Sequence, residues 1–170
     1  MTIQIGDKIP SVTVRQLGVE GINEIDIADH IAGKKVVLFA VPGAFTPTCA
    51  QKHLPSYIDN ADTMKDSGVD EIICIAVNDP FVMKHWGESA GADGKVTMLS
   101  DGNADLTKAI GMDMDGSGVG LGIRSKRYSM IIEDGVISDI EIEDSPGEMT
   151  VTSGTACAAA RMPWSRPCST

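Results

Sequence analysis

No C-x-x-C pair, no apolar run of the roughly 18 residues needed to cross a bilayer, and no surplus of positive charge occurs in this chain of 170 residues. Each absence excludes something. Without paired Cys or His spacings there is no zinc signature. A net charge of −10 and a pI near 4.6 give a surface that repels phosphate backbones and anionic lipid, so neither nucleic acid nor a membrane is an expected partner. The opening MTIQIGDKIP has neither the basic flank nor the apolar core of a signal peptide. The expected location is the reducing cytoplasm. There is no internal repeat and no linker.

What is present fits one compact domain, because 42% hydrophobic residues supply a core at this length. The four cysteines, Cys49, Cys74, Cys157 and Cys168, are scattered. In a reducing compartment that pattern predicts free thiols, and one of them is a candidate for reactivity.

Two short apolar runs, Lys34 to Val41 and Glu71 to Val77, have the β-branched composition of strands buried on both faces. Between them Leu54, Ile58, Ala61 and Met64 recur at helical spacing, and Gly68 closes that helix. The unit is strand, helix, parallel strand. Pro55 falls inside the helix and predicts a kink near Gln51. Asp79 and Pro80 open another helix. VTMLSD is a short strand, and DGNADLTKAIG a short helix ended by Gly111. Two alternating runs joined at Asp134 and Gly135 form a hairpin, and TSGTACAAA a last helix. Parallel strands separated by helices, then a hairpin and a helix, describe an α/β thioredoxin-like fold, a central mixed sheet flanked by helices.

The stretch VPGAFTPTC, Val41 to Cys49, carries the chemistry. Thr46 is a good N-cap and Pro47 suits the first helical position, which puts Cys49 third. Capping geometry predicts a bond from the Cys49 N–H to the Thr46 hydroxyl. The sulfur then lies in the first turn, among unpaired N–H groups that favour a thiolate. Acidity alone does not make a fast nucleophile. A three-unit drop in a thiol pKa raises the thiolate fraction at pH 7 about 30-fold, and lost nucleophilicity takes back about 15- to 30-fold. Donors aimed at the developing charge are also required. His53, four residues on, shares the helix face and reads either as a base or, with more weight, as a packed histidine beside Pro55. His85 and Trp86 read as packing or interface residues.

PGAFTPTC resembles the active-site loop of peroxiredoxins, with proline, threonine and cysteine at Pro42, Thr46 and Cys49. KHLPSYI, CIAVNDPFVMKHW, MLSDGNADLTKAIGM, GLGIRSKRYSMIIEDGVI and EDSPGEMTV are similar to the type II, or peroxiredoxin-five, subfamily. The resemblance implies one domain over residues 1–160 and leaves 161–170, RMPWSRPCST, as an irregular tail. It implies thiol-dependent reduction of hydrogen peroxide and organic hydroperoxides, without cofactor or metal, in redox homeostasis. Cys49 would be the peroxidatic cysteine that becomes a sulfenic acid. Thr46 would bond sulfur and peroxide, Pro42 would shield the sulfenic acid, and Arg127 rather than Arg124 would polarise the peroxide. The bland reading of Arg127 is a surface salt bridge.

Some family members carry a resolving cysteine before the last helix. Here the nearest, Cys157, falls within the predicted helix. Cys74 matches a cysteine treated as resolving in some relatives, but its strand predicts a buried, inert thiol. Cys168 lies in the tail. The implied reductant is therefore external, glutathione with glutaredoxin or thioredoxin. A homodimer is also implied, with Phe45 and Phe81 as interface candidates. The competing function is a non-enzymatic redox sensor or chaperone, which would oxidise once without turnover. DMDGSGVGLG imitates a calcium loop, yet Arg124 stands where the bidentate glutamate is required. Its glycines do not make a dinucleotide loop, and it reads as a flexible loop leading to Arg124 and Arg127.

Overall fold

The structure, a computed structural model, describes residues 1–160. A seven-stranded mixed sheet runs in the order β2 (Gly21–Asp26), β1 (Thr13–Gly18), β5 (Thr97–Ser100), β4 (Glu71–Ala76), β3 (Lys35–Val41), β8 (Tyr128–Glu133), β9 (Val136–Ile142). Strands β3, β4 and β5 are parallel, as their β-branched runs predict, and the flanking pairs are antiparallel. Asp134 and Gly135 close the β8–β9 hairpin, both with positive φ, the conformation such a tight turn demands.

Alternate side chains of β3 and β4 enter opposite faces. Val37, Phe39, Val41, Ile72, Cys74 and Ala76 pack under α2 (Leu54–Asp66), α3 (Pro80–Ala90) and α5 (Gly154–Ala160). Val36, Leu38, Ala40, Ile73 and Ile75 pack with α1 (Ile27–Ile31) and α4 (Asp105–Ala109). The result is the thioredoxin-like three-layer arrangement. Among the described residues no helix is long and apolar enough to cross a membrane.

Three details depart from expectation. The hairpin β1–β2 and helix α1, capped by Asp26 through the Asp29 N–H at 3.2 Å, were not anticipated. The glycine-rich stretch before Arg124 is a ribbon, β6 (Asp113–Asp115) paired with β7 (Ile123–Ser125) around a 3-10 turn at Ser117–Val119, because Gly116 and Gly122 let the backbone close on itself at 2.7 Å. Pro55 produces a π-helical turn rather than a plain kink. Residues Cys49–His53 are wound so that the Leu54 N–H bonds the Cys49 carbonyl. This absorbs the donor that the proline lacks. The expected irregular tail and Cys168 lie outside the described residues.

Strand register brings the site together. Ala40 pairs with Tyr128 and Val41 with Ala76. One step further, Arg127 stands beside the start of the 42–49 loop, and Asn78 lies beside its other flank.

Candidate active site

The 42–49 loop is held by short local bonds. The Ala44 N–H donates to Asn78 Oδ1 at 2.9 Å. Phe45 takes φ 62°, a left-handed conformation costing a non-glycine residue on the order of 1 kcal/mol, and turns its ring outward, 55% exposed. A Cβ on Gly43 would stand 3.1 Å from Arg124 Nη1 and 3.2 Å from Thr46 Cγ2, tight enough to favour glycine. The helix starts at Pro47 as expected, with Ala50 N–H on the Thr46 carbonyl at 2.8 Å. The Thr46 hydroxyl corrects the capping expectation. It donates to the Gly43 carbonyl at 2.7 Å instead of taking the Cys49 N–H, because the tight 43–46 turn brings that carbonyl within reach. Its lone pairs remain available to accept.

Cys49 is fully buried, whereas reactive thiols are commonly part-exposed. Its cover is Arg127, itself 2% exposed. Arg127 Nη2 donates to Cys49 Sγ at 3.0 Å. Nε and Nη2 also donate to the Pro146 carbonyl at 3.2 and 3.0 Å, and Nη1 reaches His53 Nδ1 at 2.8 Å. Among the described residues Arg127 is in no ion pair. A buried guanidinium without a carboxylate, aimed at a sulfur, is not the surface salt bridge of the bland reading. It stabilises negative charge wherever that develops beside it. Arg124 instead donates Nε to the Leu121 carbonyl at 2.8 Å.

His53 is fully buried, tilted against Phe39 and Tyr57 with ring centroids 5.0 and 5.6 Å away. Its Nε2 lies 3.0 Å from the Thr152 carbonyl, which requires an N–H there and leaves Nδ1 as acceptor for Arg127. Burial, with Arg127 second, pushes its pKa down to about 3. The ring is thus a neutral acceptor that aims the guanidinium, and not a base for the thiol. Tyr57 Oη donates to the same Thr152 carbonyl at 2.7 Å.

Cys74 faces the same core layer as Cys49. It is fully buried in β4 between β3 and β5, and burial holds its thiol well above the usual range. Cys157 is fully buried in α5, as its helical reading predicts. Neither forms a disulfide among the described residues. His85 is exposed on α3 while its neighbour Trp86 is core. No group of three metal-ligating side chains occurs among the described residues. Sequence reasoning did not anticipate the carbonyls of Pro146 and Thr152, since backbone acceptors leave no residue-type signal.

A cleft of about 380 Å³ reaches the site, lined in part by Pro42, Thr46, Met114, Val119, Leu121 and Arg127. Its lining is mainly apolar and includes the hydroxyl-bearing Thr46 and the guanidinium-bearing Arg127. The arrangement can bind a small polar molecule with an apolar substituent, set it beside a thiol and stabilise a departing oxyanion.

The Redoxin family matches residues 4–156. The chain is 48% identical over 157 residues to peroxiredoxin-2E-2, chloroplastic, of Oryza sativa subsp. japonica, covering 89% of this chain and 69% of that protein. It is 42% identical over 152 residues to peroxiredoxin-2B of Arabidopsis thaliana, covering 89% and 93%. Among solved structures, reduced Prx3 of Vibrio vulnificus in complex with hydrogen peroxide superposes with a TM-score of 0.89 at 48% identity, over 94% of this chain and 99% of that one.

Proposed function

The chain belongs to the Redoxin family as a type II peroxiredoxin, a thiol-dependent peroxidase, and from that premise we propose that Cys49 is its peroxidatic cysteine, served by Pro42, Thr46 and Arg127. The observation that carries the assignment is the 3.0 Å contact from the buried Arg127 guanidinium to Cys49 Sγ. The thiolate sulfur attacks the nearer peroxide oxygen and the O–O bond breaks. Sulfur is oxidised to sulfenic acid, and the departing oxygen takes a proton to leave as water or alcohol. Arg127 Nη2 offers a donor to the charge developing on that oxygen. The Thr46 hydroxyl, its proton committed to Gly43, accepts from the peroxide O–H. Pro42 walls off water.

The substrates are hydrogen peroxide and small organic hydroperoxides. The first is supported by the Vibrio relative, which was crystallised with hydrogen peroxide, the second by the apolar Val119 and Leu121 of the cleft. The reductant is an external thiol, glutathione with glutaredoxin, or thioredoxin. It attacks the sulfenic sulfur, releases water and leaves a mixed disulfide that a second thiol resolves. The depth of Cys74 in the central sheet and its raised thiol pKa support that choice, because a buried thiol is a poor attacking group. Phe45 in the loop and Phe81 on α3 are exposed and suit a homodimer contact. Sedimentation tests this; a monomer in both redox states contradicts it.

Turnover decides the function. Sustained peroxide consumption with glutathione and glutaredoxin, or with thioredoxin, is expected from the native chain and is lost in Cys49→Ser. A single oxidation that no thiol reverses would instead describe a sensor.

A further inference from the structure

Glu143 follows β9 directly, and its side chain is not used by the chemistry above. The residue is 7% exposed, a costly place for a carboxylate without partners. Oε1 accepts the N–H groups of Thr150, Val151 and Thr152 at 2.7, 2.9 and 2.9 Å and the Thr152 hydroxyl at 2.9 Å. Oε2 accepts the Thr150 hydroxyl at 2.9 Å. Burial raises its pKa, but the Thr152 and Thr150 donors outweigh that and hold it below the ordinary value. It is an anion engaged by donors alone.

The segment so clasped is the one that aims the catalytic groups. Its Pro146 carbonyl takes two bonds from Arg127. Its Gly147 carbonyl takes the Thr48 hydroxyl at 3.1 Å, next to Cys49. Its Thr152 carbonyl takes His53 Nε2, whose Nδ1 in turn receives Arg127 Nη1. Glu143 is also tied to the arginine directly, its N–H on the Arg127 carbonyl at 3.0 Å.

We propose that Glu143 is a positioning residue of the peroxidase site, a clasp that closes the 146–152 segment and so fixes the carbonyls on which the Arg127 fork is set. The proposal rests on the assignment of Cys49 and Arg127 above. The clasp acts by reach and acceptor geometry. Glutamine retains a carbonyl oxygen for the four bonds at Oε1 and can donate from its NH2 to the Thr150 hydroxyl. Aspartate keeps the charge but is one methylene short.

The test compares Glu143→Gln, Glu143→Asp and Glu143→Ala in two reactions of Cys49. One is the second-order rate with hydrogen peroxide. The other is alkylation by iodoacetamide at pH 9, where an ordinary cysteine is largely ionised and the leaving iodide needs no donor. Misplaced donors cost about 10- to 100-fold in a positioned reaction. The peroxide rate of the Asp and Ala variants should fall by about that factor, with alkylation changed by less than about threefold. The Gln variant should stay within about twofold of the native chain in both. Unchanged peroxide rates in Asp and Ala would overturn the proposal. So would a Gln variant as slow as they are, which would mean charge, or a parallel loss in both reactions, which would mean general loosening. If Ala fails to fold, Asp decides. Peroxide consumption surviving in Cys49→Ser would overturn the assignment of the cysteine instead, an outcome independent of the Glu143 variants.

Discussion

In the proposed mechanism Arg127 is the residue on which the chemistry turns, because it touches the Cys49 sulfur, the cleft and His53 at once. Arg127→Gln should lower the rate with hydrogen peroxide by about 10²- to 10³-fold, the usual loss for a donor to a developing oxyanion. Arg124→Gln, whose Nε bonds a loop carbonyl, should alter it by no more than about threefold. Stopped-flow peroxide consumption separates the two. His53 makes a second prediction. Its pKa is pushed to about 3 in the fold against about 6.5 in an unfolded chain. Between those values the unfolded chain binds a proton that the folded chain refuses, so stability falls as pH drops from about 6.5 towards 3. At pH 5 the loss is on the order of 2 kcal/mol. Urea unfolding at pH 7 and pH 5 should show it, and His53→Gln should flatten the slope. Much at this scale was legible: Pro42, Thr46 and Cys49 sit in eight contiguous residues whose spacing implies a helix start, and the family resemblance separates Arg127 from Arg124. The Thr46 hydroxyl partner was not legible, because a hydroxyl chooses among acceptors by tenths of an ångström.

At the scale of elements, helix α2 and the last helix α5 meet where side chains leave no room. A Cβ on Gly154 would lie 2.4 Å from the Ser56 carbonyl oxygen and 2.8 Å from the Tyr57 nitrogen, both backbone atoms that cannot rotate away. Gly154→Ala should destabilise the fold by about 1–3 kcal/mol, the cost of overpacking, measured by thermal or denaturant unfolding. Stability equal to the native chain would show that α5 shifts freely. The β3–β4 and β8–β9 strands, α2 and α3 could be read from periodicity and turn residues. Strands β1 and β2 were missed because Val14 alone of their residues is buried, leaving no clean apolar run. The β6–β7 ribbon was missed because glycine-rich stretches read alike whether ordered or not. The π-helical turn goes with Pro55, six residues beyond the cysteine, but its register, with the Leu54 N–H on the Cys49 carbonyl, leaves no signal in residue type.

On the scale of the whole molecule, the sheet topology assembles a site from residues far apart in sequence. Strand β3 ends at the cysteine loop, β4 ends near Asn78, and β8 begins after Arg127, so three strand ends meet at one edge of the core. The 143–152 segment then crosses that edge and supplies the acceptors. None of this needs a second thiol from the described core. Cys74→Ser and Cys157→Ser should therefore each sustain peroxide turnover with external thiol, and mass spectrometry after one equivalent of peroxide should find no disulfide lost on either substitution. An internal disulfide that vanishes in one variant would name a resolving cysteine. The most direct measurement of the central claim is to trap the first oxidation product. One equivalent of hydrogen peroxide is added with dimedone present, and the labelled cysteine is located by mass spectrometry. Label on Cys49, absent together with rapid peroxide loss in Cys49→Ser, is the predicted result; first label on Cys74 or Cys157, or undiminished peroxide consumption in Cys49→Ser, would contradict it.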